Sequence, residues 1–263
     1  MSWFRGLLIN LQFFTSIPIR IELPMDKAHL EKTIKTFPIL GLIQGGIYTL
    51  IVYGFLHWTP FSNLAVAFAV WLAGIIITGG IHLDGWMDTS DAFFSYRDKE
   101  KRLEIMSDPR TGAFGVLSVI VLLSARFLFI YEIISLINPF SYLFIALLPF
   151  FSKMVMGVLL LQVKEAKKTG LGYLFKQAAK KGTLIIYPIY LAVLVGIAAV
   201  VIPEALLGIF CFIVVSVLVL FFLQKKIISS FGGMTGDVLG ASVEGTEVLL
   251  WMTLWLLHYF VMG

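Results

Sequence analysis

Residues 184–202, LIIYPIYLAVLVGIAAVVI, contain no charged side chain and no side-chain amide. A run of that length matches the roughly 20 apolar residues that an α-helix needs to cross a bilayer core about 30 Å thick. Six more stretches share the character: 38–57, 63–82, 113–137, 139–163, 204–223 and 238–261. With 59% hydrophobic residues and only 14% charged, and a mean hydropathy of +0.93, the chain falls outside the range of soluble domains. The pattern predicts an all-α fold: a polytopic integral membrane helical bundle of about seven transmembrane helices.

Ahead of the first span, Trp3, Phe4, Leu7, Leu8, Leu11 and Phe14 recur at helical spacing. That periodicity fits either an N-terminal interfacial helix or an amphipathic packing helix, and the sequence leaves both open. Asn10 and Gln12 interrupt the apolar run and no small-residue cleavage site follows, so no cleavable signal peptide is expected. The single cysteine, Cys211, lies in an apolar run, which excludes an intrachain disulfide. The formal net charge of +4 points to anionic lipid as the partner of the basic loops, not to nucleic acid.

All but two of the 20 Lys and Arg residues lie before the first span or in the connections 83–112, 164–183 and 224–237. The joints around 57–62, 138 and 203 carry none. Such alternation predicts a cytoplasmic N-terminus on a multi-pass protein of a prokaryotic cytoplasmic membrane. The two remaining cations, Arg126 and Lys153, fall inside spans, where a charge costs roughly 3 kcal/mol on insertion scales. Each needs a partner or an aqueous cavity. A structural ion pair, with Glu132 as one candidate, and a cationic lining for an anionic substrate are the two readings.

The second span ends in GGIHLDGWMDTSDAFF, residues 79–94. Asp84, Asp88 and Asp91 return to nearly the same azimuth of a helix, so three carboxylates share one face at the basic end of the bundle. Their mutual repulsion draws in a proton or a cation. Hard oxygen ligands with room for water suit Mg2+, which commonly uses a few carboxylates together with substrate phosphates. A cation relay in a transporter is the competing reading, although transporter sites tend to sit near the midplane on broken helices. In the loop that follows, Asp108 and Arg110 flank Pro109 and offer another ligand and a phosphate-binding guanidinium. A second polar island, SSFGGMTGDVLGASVEGTE, places Gly232, Gly233, Thr235 and Gly236 before Asp237, with Glu244 and Glu247 further on. Glycines admit close backbone approach, and N–H groups at a helix N-terminus cradle phosphate.

HLDGWMDTSD, DPRTGAFG and GGMTGDVLGA, with FFTSIPIR and FPILGLIQGG earlier, resemble the signature blocks of the cobalamin synthase family, the adenosylcobinamide-GDP ribazoletransferases. The likeness runs over almost the whole chain and implies a single membrane-embedded transferase domain, residues 1–263. It further implies Mg2+-dependent condensation of adenosylcobinamide-GDP with α-ribazole or its 5'-phosphate, releasing GMP. Under that resemblance Asp84, Asp88, Asp91, Asp108 and Asp237 are candidate metal ligands. Asp91, His82 and Arg110 are candidate catalytic groups, with Asp91 or His82 as the base. Lys153, Arg126, Gly233, Thr235 and Gly236 are candidate substrate contacts. Two positions depart from the family pattern: Ala92 replaces a glycine after the third acid, and Ser152–Lys153 keeps a charge but lacks a bidentate fork. CDP-alcohol phosphotransferases use similar chemistry, but their Asp-x-x-Asp-Gly-x-x-Ala-Arg motif is not met, since Ile81 stands at its first acid. The expected entrance is a cleft roofed by the 83–112 and 164–183 loops. The sequence does not set the oligomeric state.

Overall fold

The computed structural model describes residues 2–262. No β-strand occurs among the described residues, only an isolated bridge between Glu165 and Met234. Five helices are long and apolar enough to cross a membrane: α3 (Phe37–Trp58), α7 (Ala113–Ser135), α8 (Pro139–Gln162), α10 (Ile186–Val201, entered through a 3-10 turn) and α11 (Leu206–Phe231). α4 (Asn63–Thr78) and α5 (Ile81–Phe94) make a sixth if taken together. Shorter helices gather at the basic end: α1 (Ser2–Phe14), α2 (Lys27–Lys35), α6 (Lys99–Ile105) and α9 (Gly170–Ala178). The last is α12 (Gly236–Leu257).

The span expected over 63–82 is broken. Gly79 and Gly80 both adopt left-handed backbone, φ 61° and 76°, a conformation that glycine enters without steric penalty. The chain turns there by 86°. Only α4 lies wholly within the expected span; α5 has 14 residues, or about 21 Å of helix, starts at the expected end of that span, and runs beside the N-termini of α7 and α12. The segment expected over 238–261 forms α12, which is not among the helices apolar enough to cross by composition because Glu244 and Glu247 interrupt it. It is sheltered by protein instead: Val243, Leu250, Trp251 and Leu254 are buried.

α8 is the hub, with Phe144, Phe151 and Lys153 all fully buried. Its tightest partner is α3, where a Cβ at Gly41 or Gly45 would collide with the backbone of Pro149 or Ala146. Lipid gives no hydrophobic drive between helices, so close contact through small residues supplies the packing energy. α10 and the outer face of α11 show Val200, Phe221 and Phe222 to the surroundings, as lipid-facing helices should. α1 buries Ile9, Asn10 and Phe14 and leaves Phe4 exposed. Asn10 Nδ2 donates to Thr33 O and Thr36 Oγ1 at 2.9 and 2.8 Å, which ties α1 to α2 and α3.

Candidate functional site

α5 carries the acidic stripe, and the structure divides its three members. Asp91 accepts from the backbone N–H of Gly112 at 2.6 Å and of Gly115 at 2.8 Å, one bond to each carboxylate oxygen. These N–H groups open α7 and have no partner within their own helix, so Asp91 caps α7 from a neighbouring helix. A Cβ at Gly112 would lie 2.5 Å from the Asp91 carboxylate, and so would one at Gly115. The DPRTGAFG block therefore spares room for an acid. These two bonds occupy one lone pair on each Asp91 oxygen.

Asp84 and Asp88 form no ion pair, nor does Asp237, the first-turn acid of α12. Asp84 and Asp237 line one cavity of about 350 Å³ together with His82, Thr235, Gly236 and Lys167. Asp88 is pushed up to about 6, first by burial and then by the charges of Asp84, Asp237 and Asp91. α5 and α12 meet closely enough that a Cβ at Gly85 would lie 2.7 Å from Asp237 O, and one at Gly240 would lie 3.2 Å from His82 Cα. Phe14, Phe37 and Phe175 form the apolar wall.

The glycine-rich turn divides as well. Thr235 caps α12, its Oγ1 accepting from Val238 N at 3.1 Å, and Gly236 has open space where a Cβ would stand. Both keep their place on the cavity wall. Gly233 does not contact it. A Cβ there would lie 2.5 Å from Lys164 O, and Met234 exchanges backbone hydrogen bonds with Lys164 and Ala166 at 2.8 and 3.0 Å. Gly233 thus lets the 164–166 strap pair with the turn and hold Glu165, Lys167 and α9 over the cavity. The roof comes from 164–176; of the 83–112 connection, only Asp84 reaches the cavity. Lys167, Lys176 and the Gly170–Gly172 segment were not singled out from the sequence as binding residues, and their only signal was a basic, glycine-containing loop.

Asp108 and Arg110 are taken up with each other. Arg110 Nε and Nη2 donate to the two Asp108 oxygens at 2.9 and 2.7 Å, and this pairing holds Asp108 down at about 2. Neither residue lines the cavity. The two intramembrane cations are buried away from it too. Arg126 pairs with Glu244, not Glu132. Lys153 Nζ lies 2.8 Å from His82 Nε2, and Ser152 Oγ donates to Glu247 at 2.9 Å. Neither Arg126 nor Lys153 lines this cavity. Lys153 instead donates to the His82 ring from behind, which makes Nε2 the acceptor and leaves the remaining ring proton on Nδ1.

No group of three or more acids, histidines or cysteines among the described residues forms a ready-made metal cage. The oxygen-only set on α5 and α12 instead suits a hard cation that keeps waters and takes further ligands from a phosphate. A model of the cobalamin-5-phosphate synthase family matches residues 6–255. The chain belongs to that family. An adenosylcobinamide-GDP ribazoletransferase of Geobacillus sp. (strain WCH70) is 39% identical, covering 98% of this chain and 97% of its own length. The enzyme of the same name from Geobacillus kaustophilus is 38% identical over 100% and 99%, and that of Clostridioides difficile 34% identical over 96% and 97%. No solved structure matches the chain.

Proposed function

We propose that this protein transfers the cobinamide-phosphate moiety of adenosylcobinamide-GDP to α-ribazole or its 5'-phosphate, releasing GMP and forming adenosylcobalamin or its 5'-phosphate. The observation that carries the site assignment is that Asp84 and Asp237, carboxylates 153 residues apart in the sequence, line one cavity, with Asp88 near enough to feel the charge of both. A ribazole hydroxyl oxygen attacks the phosphorus that bears the cobinamide, and the bond from that phosphorus to the bridging oxygen breaks as GMP leaves. Asp84, Asp88 and Asp237 would hold Mg2+. When bound, the ion neutralises charge on the phosphate oxygens and steadies the leaving group.

The residues of the chain do the rest. Lys167 and Lys176 line the cavity; released from Leu103 O and from Glu165, they would meet the diphosphate, and Thr235 with the α12 N-terminus offers N–H donors to it. The hydroxyl proton would pass to a carboxylate oxygen of this acidic set that the ion does not engage. A cavity of about 350 Å³ fits the diphosphate and part of a nucleoside, so the corrin stays at the mouth. The basic loops support a cytoplasmic location for this end, in the cytoplasmic membrane with the N-terminus inside.

The test is GMP release by protein in nanodiscs supplied with both substrates, with and without Mg2+, alongside Asp84→Asn and Asp237→Asn. Metal-dependent release lost in both variants is expected. Turnover that persists in both variants would remove the cavity from the chemistry.

A further inference from the structure

The face of α5 opposite the acids borders a second opening. Trp86, Thr89 and Phe93 lie roughly half a turn round the helix from Asp84 and Asp88. They form one wall of a groove of about 740 Å³ whose other walls come from α7, α11 and α12. The groove contains no carboxylate. It opens sideways past Val121 and Phe222, which are 68% and 65% exposed, so it faces the hydrocarbon of the membrane.

One feature marks it as more than annular surface: two cations gather at Phe93. Lys226 Nζ stands 4.4 Å from the Phe93 ring and the Arg102 guanidinium 5.4 Å from it, and neither cation has a carboxylate partner. Arg102 gives one N–H to Ser230 O at 3.1 Å but its Nε is buried with no partner. One and two turns further along α5, the Thr89 hydroxyl and the Trp86 indole N–H are also buried and unpartnered. These three atoms have almost no accessible surface, so they lie behind the wall of the groove and not on it. From mouth to interior the groove presents cations and then an apolar trough.

We propose that this groove binds one molecule of anionic phospholipid: its phosphate at Lys226 and Arg102 beside Phe93, and an acyl chain along Leu117 and Val121. The bound lipid backs α5 from the side opposite the acids and so sets the position of Asp84 and Asp88. The inference does not depend on the reaction assigned above.

The experiment is native mass spectrometry of protein extracted from nanodiscs of equal parts phosphatidylglycerol and phosphatidylcholine. A cation near a membrane surface contributes about fivefold in affinity for anionic lipid, so the wild type should retain phosphatidylglycerol over phosphatidylcholine by roughly twenty-five-fold. Lys226→Gln should cut the preference to about fivefold. Ala125→Phe, which fills the trough with an apolar side chain, should reduce retention of both lipids while the protein still melts cooperatively. Equal retention of the two lipids by wild type, or a preference unchanged in both variants, overturns the proposal. Because the readout is lipid mass and not turnover, it stands or falls separately from GMP release.

Discussion

Replacing Asp91 separates a structural acid from a chemical one. Its carboxylate takes two backbone hydrogen bonds, from Gly112 and Gly115, at 2.6 and 2.8 Å. A hydrogen bond to a charged group contributes about 1.5–3 kcal/mol net, and the lower figure applies here because Asp91 is only half-buried. Asp91→Ala removes both bonds and the favourable charge at the α7 N-terminus, for a loss of about 3 kcal/mol. At about 2–4 °C per kcal/mol for a chain of this size, the melting temperature should drop by about 6–12 °C. Asp91→Asn keeps one acceptor and should lose about half as much. Asp84→Asn touches no hydrogen bond and should shift stability by no more than about 0.5 kcal/mol. Tryptophan fluorescence melts of nanodisc-embedded protein read all three. If Asp91→Ala melts with the wild type while transferase activity vanishes, the capping argument is refuted and Asp91 returns to the chemistry.

Asp88 gives a pH signature. Its folded value of about 6 exceeds the ordinary 3.8, so between those values the folded state binds more protons than the unfolded one. Stability should therefore fall as pH rises from about 4 to about 6 and stay lower above that. Melts across that range should show the slope in wild type and none in Asp88→Asn, and above pH 6 added Mg2+ should raise the melting temperature of the wild type alone. For the buried Arg126–Glu244 pair, Glu244→Gln leaves a guanidinium uncompensated and should cost about 3–5 kcal/mol, whereas Arg126→Met with Glu244→Met should restore most of it. Membrane yield and melting temperature check this, and a single variant as stable as the double would count against it.

Hydropathy made the spans legible because a backbone in lipid must satisfy its own hydrogen bonds, and an apolar helix is the simple solution. The break at Gly79–Gly80 was not anticipated, since the apolar pattern runs through it and only the positive φ of both glycines reveals the turn. The acidic stripe was legible from helical periodicity; the different employment of Asp91 was not, because its partners lie 21 and 24 residues away. Arg126 was rightly read as needing a partner, but Glu244 is 118 residues distant and no local spacing points to it. Gly233 shows the same limit. Glycine signals close approach without saying to what, and here the neighbour is the backbone of residues 164–166.

The packing of α5 on α12 has a bearing on biogenesis. Asp84 and Asp88 are synthesised well before Asp237 and Gly240, which belong to α12, and Gly85 and Gly240 let the two helices meet. Until α12 arrives, α5 has no floor and its acids face an open slot. Assembly of the cavity thus waits for α12, and a nascent chain released before α12 carries the stripe without the site.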